Sequence, residues 1–228
     1  MKNKIITSLF FVVIYACVYS GISYAEENNI TFRASINGSN SAYSNFRRHV
    51  FHKKLLGYWR TKSFVQGSWV DLIWYVDRTH AWHIVIAYAD EEMKIPLLRW
   101  DIVREYKLEE VSTVYSKAYN MVWKDRISKL TPYVDNPAFF SAIGISDCAL
   151  QVGKSLDTSL DNCGAPLLPF RKCEMMDFVE LKNGVMTFGE PQQGDRCSTR
   201  PTELEGWSFN RIPFTPELWK ALIQPSTN

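Results

Sequence analysis

The side chains of this 228-residue chain that could support catalysis or metal binding are four histidines, five cysteines and a few acidic pairs. His49 and His52 stand three apart, which would place both on one face of a helix. His80 and His83 have the same spacing beside a strand, where an odd step sends them to opposite faces. Neither pair has a third ligand at suitable spacing, so a solvated helix face and an ordinary turn explain them and no metal is expected. A cysteine nucleophile needs a free thiolate near a base. The sequence holds no Gly-x-Ser-x-Gly or His-Glu-x-x-His motif, and Gly189 to Gly194 is too loose for a phosphate cradle. Glu91-Glu92 and Glu109-Glu110 read as solvated charge in turns between strands. These residues point away from an enzyme and require no cofactor.

The remaining chemical signal is aromatic. The chain carries 8 Trp, 13 Phe and 11 Tyr, enough to furnish either a solid core or an apolar pocket. With 46% hydrophobic and 22% charged residues it can bury a core, which excludes wholesale disorder. Its 26 basic and 24 acidic side chains leave no excess of cations to displace counterions, so nucleic-acid binding driven by bulk charge is excluded.

Residues 1–25 read as a secretory signal peptide. Lys2 and Lys4 form the positive start and Ile5 to Val18 the apolar stretch. Ser23-Tyr24-Ala25 then offers small residues at the −3 and −1 positions. Cleavage there would remove two lysines, leaving 24 basic against 24 acidic residues. The expected location is periplasmic or secreted. Cys17 would leave with the signal, and Cys148, Cys163, Cys173 and Cys197 would remain. An even number in an oxidising compartment favours two disulfides, and four cysteines allow three pairings. No paired ligand spacing of the Cys-x-x-Cys kind favours zinc instead.

The elements that must position these residues follow from periodicity. Residues 26–44 are polar around Asn37-Gly38-Ser39-Asn40-Ser41 and read as a flexible leader to one barrel-like domain over 45–228. Asn45 to Leu56 has the spacing of a short amphipathic helix that Gly57 ends. The period then becomes two. Val70, Leu72, Trp74 and Val76 share a face; Trp82, Ile84, Ile86 and Tyr88 share the next, opposite Ala81, His83, Val85 and Ala87; and Leu98, Trp100, Ile102 and Tyr106 share a third. Val111 to Trp123 can continue the series. Strands with one apolar and one wet face predict an antiparallel meander, and long ones avoid open edges by closing into a barrel. Asn136 and Pro137 predict a helix start, and Asn183-Gly184 a two-residue hairpin. Glu203 to Phe214 reads as a last strand. Leu218, Trp219, Leu222 and Ile223 suggest a terminal helix.

Gly57-Tyr58-Trp59 at the head of this meander resembles the Gly-x-Trp opening of lipocalin-type barrels. The second half adds Cys148, Val152-Gly153, Asp157-Thr158-Ser159, Cys163-Gly164, Cys173, Asp177-x-Val179, Leu181, Thr187-Phe188-Gly189, Arg200-Pro201 and Leu204. Together with Leu55-Leu56-Gly57-x-Trp59, this series resembles the domain of the adenomatosis polyposis coli down-regulated family over roughly residues 45 to 212. That family includes cell-surface inhibitors of Wnt signalling and shorter bacterial relatives. The resemblance implies a lipocalin-like β-barrel with an apolar cavity that receives an acyl chain. Thr61-Lys62-Ser63 and Glu92-Met93-Lys94 stand where the family usually has two further cysteines, as the loss of one disulfide would leave them.

The expected disulfides are Cys148–Cys163, closing a loop that holds Asp157-Thr158-Ser159, and Cys173–Cys197, tying the start of a hairpin strand to the loop beyond its return strand. The expected fold class is mainly β, an antiparallel lipocalin-like barrel with a few short helices. The expected function is a non-enzymatic binding protein for a fatty-acyl or other apolar molecule, its pocket walled by Trp74, Trp82, Ile84, Tyr88, Trp100, Ile102 and Tyr106. The alternative is a cell-envelope interaction module with a filled core, whose partner would be an envelope or extracellular protein.

Overall fold

A computed structural model describes residues 40–160, 163, 173–189, 197 and 199–218. The expected signal peptide, most of the leader, and Trp219, Leu222 and Ile223 of the expected terminal helix lie outside these residues. The first helix, α1 (Asn40–Leu55), starts five residues before the sequence suggests, inside the stretch read as leader. Eight strands then close a ring: β1 (Gly57–Val65), β2 (Ser68–Val76), β3 (His80–Tyr88), β4 (Pro96–Val111), β5 (Ala118–Pro132), β7 (Met175–Lys182), β8 (Val185–Gly189) and β9 (Leu204–Ile212). Two short elements lie between β5 and β7: α2 (Pro137–Ala142), and the two-residue strand β6 (Leu156–Asp157), which pairs with β5 beyond the ring. All the strand pairs are antiparallel, β4 with β5 and β1 with β9 included, so the predicted barrel is the observed one. Closure gives every strand of the ring two neighbours and leaves it no free edge.

Local chemistry places the turns. Asn136 caps α2 by accepting the Phe139 N–H through its side chain, with Pro137 at the first helical position. Asn183 and Gly184 both take positive φ, 54° and 79°, as a primed hairpin turn requires. Gly57 joins α1 to β1 at φ 124°, and a Cβ there would come within 3.1 Å of the Arg211 guanidinium. That guanidinium lies over the Trp59 ring, 5.0 Å from its centroid, and donates to the Leu56 and Lys54 carbonyls. The β1–β9 closure is thus fastened to the end of α1.

Two sequence expectations fail locally. Val111 to Trp123 is not one strand: Ser112 to Lys117 turn between β4 and β5, which explains Lys117 in an otherwise apolar series. Glu109 and Glu110 lie within β4 at its irregular end, where Arg200 donates to Glu109 at 2.9 Å.

Both disulfides are those expected, Cys148–Cys163 and Cys173–Cys197, with Cα atoms 5.2 and 5.8 Å apart. They point to an oxidising, extracytoplasmic environment. Among the described residues no helix is long and apolar enough to cross a membrane.

Candidate functional site

Inside the barrel the two ends differ. The end where α1 meets β1 is filled. Phe51 of α1 packs on Tyr119, with ring centroids 4.3 Å apart, and Leu55 accepts the Trp59 indole N–H at 2.8 Å. Tyr106 donates its hydroxyl proton to the Asp77 carbonyl at 2.6 Å, so His52 must supply the proton of the 2.7 Å bond between its Nε2 and that hydroxyl. Burial, then the His49 charge, lowers the His52 pKa, in keeping with a neutral ring bearing its proton on Nε2.

The middle is a layer of aromatic rings. Trp74 lies among Phe188, Trp123 and Phe209 at centroid separations of 4.9, 5.5 and 6.3 Å. Arg104 of β4 also points inward. Its guanidinium sits 5.5 Å from the Trp74 ring centroid and 5.8 Å from that of Trp123, while its Nε donates to Asp125 at 2.8 Å. Against the other side of this layer His83 stacks on Trp74, 4.1 Å away and only 8° from parallel.

Beyond His83, toward the β1–β2 turn and α2, the barrel is hollow. The cavity measures about 220 Å³. Its walls are Val65 of β1, Val70 and Leu72 of β2, Val85 and Ala87 of β3, Leu98 and Trp100 of β4, and Leu130 of β5. Phe139, Ile143 and Ile145, from α2 and the segment after it, and Trp207 of β9 complete them. The polar residues on the wall are Gln66 and Ser68 at the β1–β2 turn and His83 at the inner end. Trp100 turns its polar edge away. Its Nε1 donates to Ser128 Oγ at 3.0 Å, and Ser128 is bonded in turn to Thr158 Oγ1 at 2.7 Å and to Ser159 Oγ, through its own N–H, at 2.9 Å. The Cys148–Cys163 loop therefore orients the cavity's one β4 aromatic through Thr158 and Ser159.

Of the seven residues expected to wall a pocket, only Trp100 does so. Register explains the rest. Trp74 pairs with His83 and Leu72 with Val85, so Ala81, His83, Val85 and Ala87 face inward, while Trp82, Ile84 and Tyr88 lie on the outer face. There Ile84 packs with Tyr58 and Ile73, and Trp82 lies 5.1 Å from Tyr75. Both faces of β3 are apolar, and the barrel takes in the smaller one, which is what leaves space. Trp74 faces inward but is packed in the aromatic layer. Ile102 is buried deep in the wall at 1% exposure, and Tyr106 belongs to the filled end.

Several residues of the C-terminal pattern meet in one structural corner. Asp177, buried inside the barrel, accepts from Trp123 Nε1, from the Phe178 N–H and from the Gly189 N–H. Pro201 closes on Gly189 so tightly that a Cβ there would meet it at 2.6 Å. Arg200 spans β5 and β7 by donating to the Met121 and Asp177 carbonyls.

Burial, with the Arg104 charge second, holds the His83 imidazole well below the usual histidine range, so it is neutral near pH 7. Both its ring nitrogens are buried with no partner among the described residues, and the same is true of Trp74 Nε1 and Asp125 Oδ2. The site can thus hold an apolar body against carbon walls, with the His83 side chain at its inner end. No protein-family model matches this chain, and no curated protein matches it either.

Proposed function

We propose that this chain is an exported, non-catalytic binding protein that holds an apolar molecule, such as a fatty-acyl chain, in the hollow end of its barrel. The observation that carries the reading is the 220 Å³ cavity with nearly all-carbon walls beside a fully packed aromatic layer. A void of about 150 Å³ lined by such side chains accommodates benzene. Scaled on that, the present one takes roughly nine non-hydrogen atoms, a medium-length chain or the end of a longer one. Burial contributes about 0.8 kcal/mol per methylene, so several of them offset the cost of ordering the ligand. The N-terminal signal pattern supports export, as do the two disulfides. The similarity of the cysteine and Gly-x-Trp pattern to the adenomatosis polyposis coli down-regulated family supports an acyl ligand.

The test is titration of delipidated protein with fluorescent fatty acids over a range of chain lengths, alongside native mass spectrometry of protein from its own host. Saturable binding that is strongest at medium length is expected. Val85→Trp, which fills the cavity from its wall, is expected to abolish binding and leave the circular dichroism spectrum unchanged. No saturable binding at any length, together with a clean apo mass, would favour the envelope-interaction role.

A further inference from the structure

We propose that the cavity takes its ligand polar end first, and that the ligand is an amphiphile with an uncharged hydroxyl head, a medium-chain alcohol in the simplest case, bonded to His83. The inference rests on the binding role proposed above and adds the chemistry and direction of the ligand.

Three observations carry it. First, His83 stands on the cavity wall at its inner end, and neither ring nitrogen has a partner among the described residues. A neutral imidazole carries one donor and one acceptor, and leaving both unmade in a buried site is costly. A half-turn about Cβ–Cγ exchanges the nitrogen and carbon positions of the ring while keeping it stacked on Trp74. Both nitrogens are buried as placed, so this turn is what brings a nitrogen toward the cavity, and it leaves the aromatic layer undisturbed. Second, the other polar edge that could have served is already used, since Trp100 Nε1 is committed to Ser128. Third, the charge behind the ring is balanced. Arg104 is paired with Asp125, and the His83 ring is uncharged near neutral pH, so the inner end carries no net charge with which to hold a carboxylate. A carboxylate there would be a buried charge without a partner, whereas a hydroxyl donates to one imidazole nitrogen or accepts from the other.

The opposite orientation would leave the head at the β1–β2 turn, beside Gln66 and Ser68. Competition titrations distinguish the two, using an alcohol, an alkane and a carboxylate of equal chain length against wild type, His83→Leu and the double variant Gln66→Ala/Ser68→Ala. Head-first binding predicts that wild type holds the alcohol about tenfold more tightly than the alkane, one hydrogen bond of about 1.4 kcal/mol. His83→Leu should erase that difference while still binding the alkane, and the double variant should keep it. Should His83→Leu fail to fold, the imidazole nitrogen shifts of wild type decide: they must move with the alcohol and not with the alkane. Equal affinity for alcohol and alkane, a preference that survives in His83→Leu, or one lost in the double variant each overturns the inference while leaving the binding role intact. Failure of every ligand to bind wild type overturns the binding role itself.

Discussion

Arg104 and Asp125 show what a charged pair costs and supplies inside a barrel. The two sit at 15% and 7% side-chain exposure, beneath two tryptophan rings that lend cation–π attraction. Removing one partner strands the other, so Asp125→Leu should destabilise by about 3–5 kcal/mol, and adding Arg104→Leu should recover much of the loss. Chemical denaturation of the two single variants and the double variant measures this. The pair was hidden in the sequence, because the alternation of Leu98, Trp100, Ile102 and Tyr106 draws the eye past the arginine that shares their face. His83 was hidden for a related reason: its strand is apolar on both sides, and the bulkier side reads as the interior. Its lowered pKa has a consequence that can be measured. Below the ordinary histidine value of about 6.5, the unfolded chain binds a proton that folded His83 refuses. Stability should therefore fall as pH drops through that range, by at most about 1.4 kcal/mol per pH unit from this residue. His52 is shifted the same way and adds to the slope. The lowered carboxylates Asp90, Glu105, Glu110 and Asp157 lose their contribution only as pH falls further, through the carboxylate range. Denaturant midpoints followed from about pH 7 to about pH 5 should show a shallower slope for His83→Leu than for wild type.

At the scale of elements, β5 explains why strand existence was readable and strand faces were not. Val103 pairs with Ile127 but Arg104 pairs with Asp125, so Arg126 is an extra residue, a β-bulge. Before it Tyr119, Met121 and Trp123 face inward at odd positions, and after it Leu130 does so at an even one. A strict period of two cannot follow that change of phase, which is why no reading of alternation reaches Leu130 as cavity wall. By contrast, α2 was legible because its signals are local. Asn136 caps it, Pro137 opens it, and Phe139 reaches the cavity. Asn136→Ala should cost about 1 kcal/mol by freeing a helix N–H. Because α2 is part of the wall, the same change should speed ligand release more than it weakens the fold. Stopped-flow displacement of a bound fluorescent fatty acid, compared with the thermal midpoint, separates the two effects.

For the whole molecule, closure and cross-linking divide the work. The antiparallel ring was readable from long alternating runs that would otherwise expose edges, and the presence of two bridges from the even cysteine count. The hollow was not, because its volume depends on which side chains of opposite walls meet across the interior. The two disulfides stand in different relations to that hollow. Cys148 and Cys163 belong to the apolar cluster of Leu98, Leu130, Phe139 and Ile145, which forms one side of the cavity. Cys173 packs against the filled core instead, among residues that include Met175 and Val179. Each bridge closes a loop of similar length, with 15 and 24 residues of sequence separation, and by chain entropy each should be worth about 3 kcal/mol. Replacing either pair with alanines should therefore lower the unfolding midpoint by comparable amounts. Only Cys148→Ala/Cys163→Ala should also weaken ligand affinity, by loosening Thr158 and Ser159, the Ser128 they hold, and the Trp100 ring that Ser128 orients. Ligand titration of the two double variants at a temperature where both remain folded makes the comparison. Equal loss of affinity in both would mean that the cavity depends on overall stability rather than on the loop that shapes its wall.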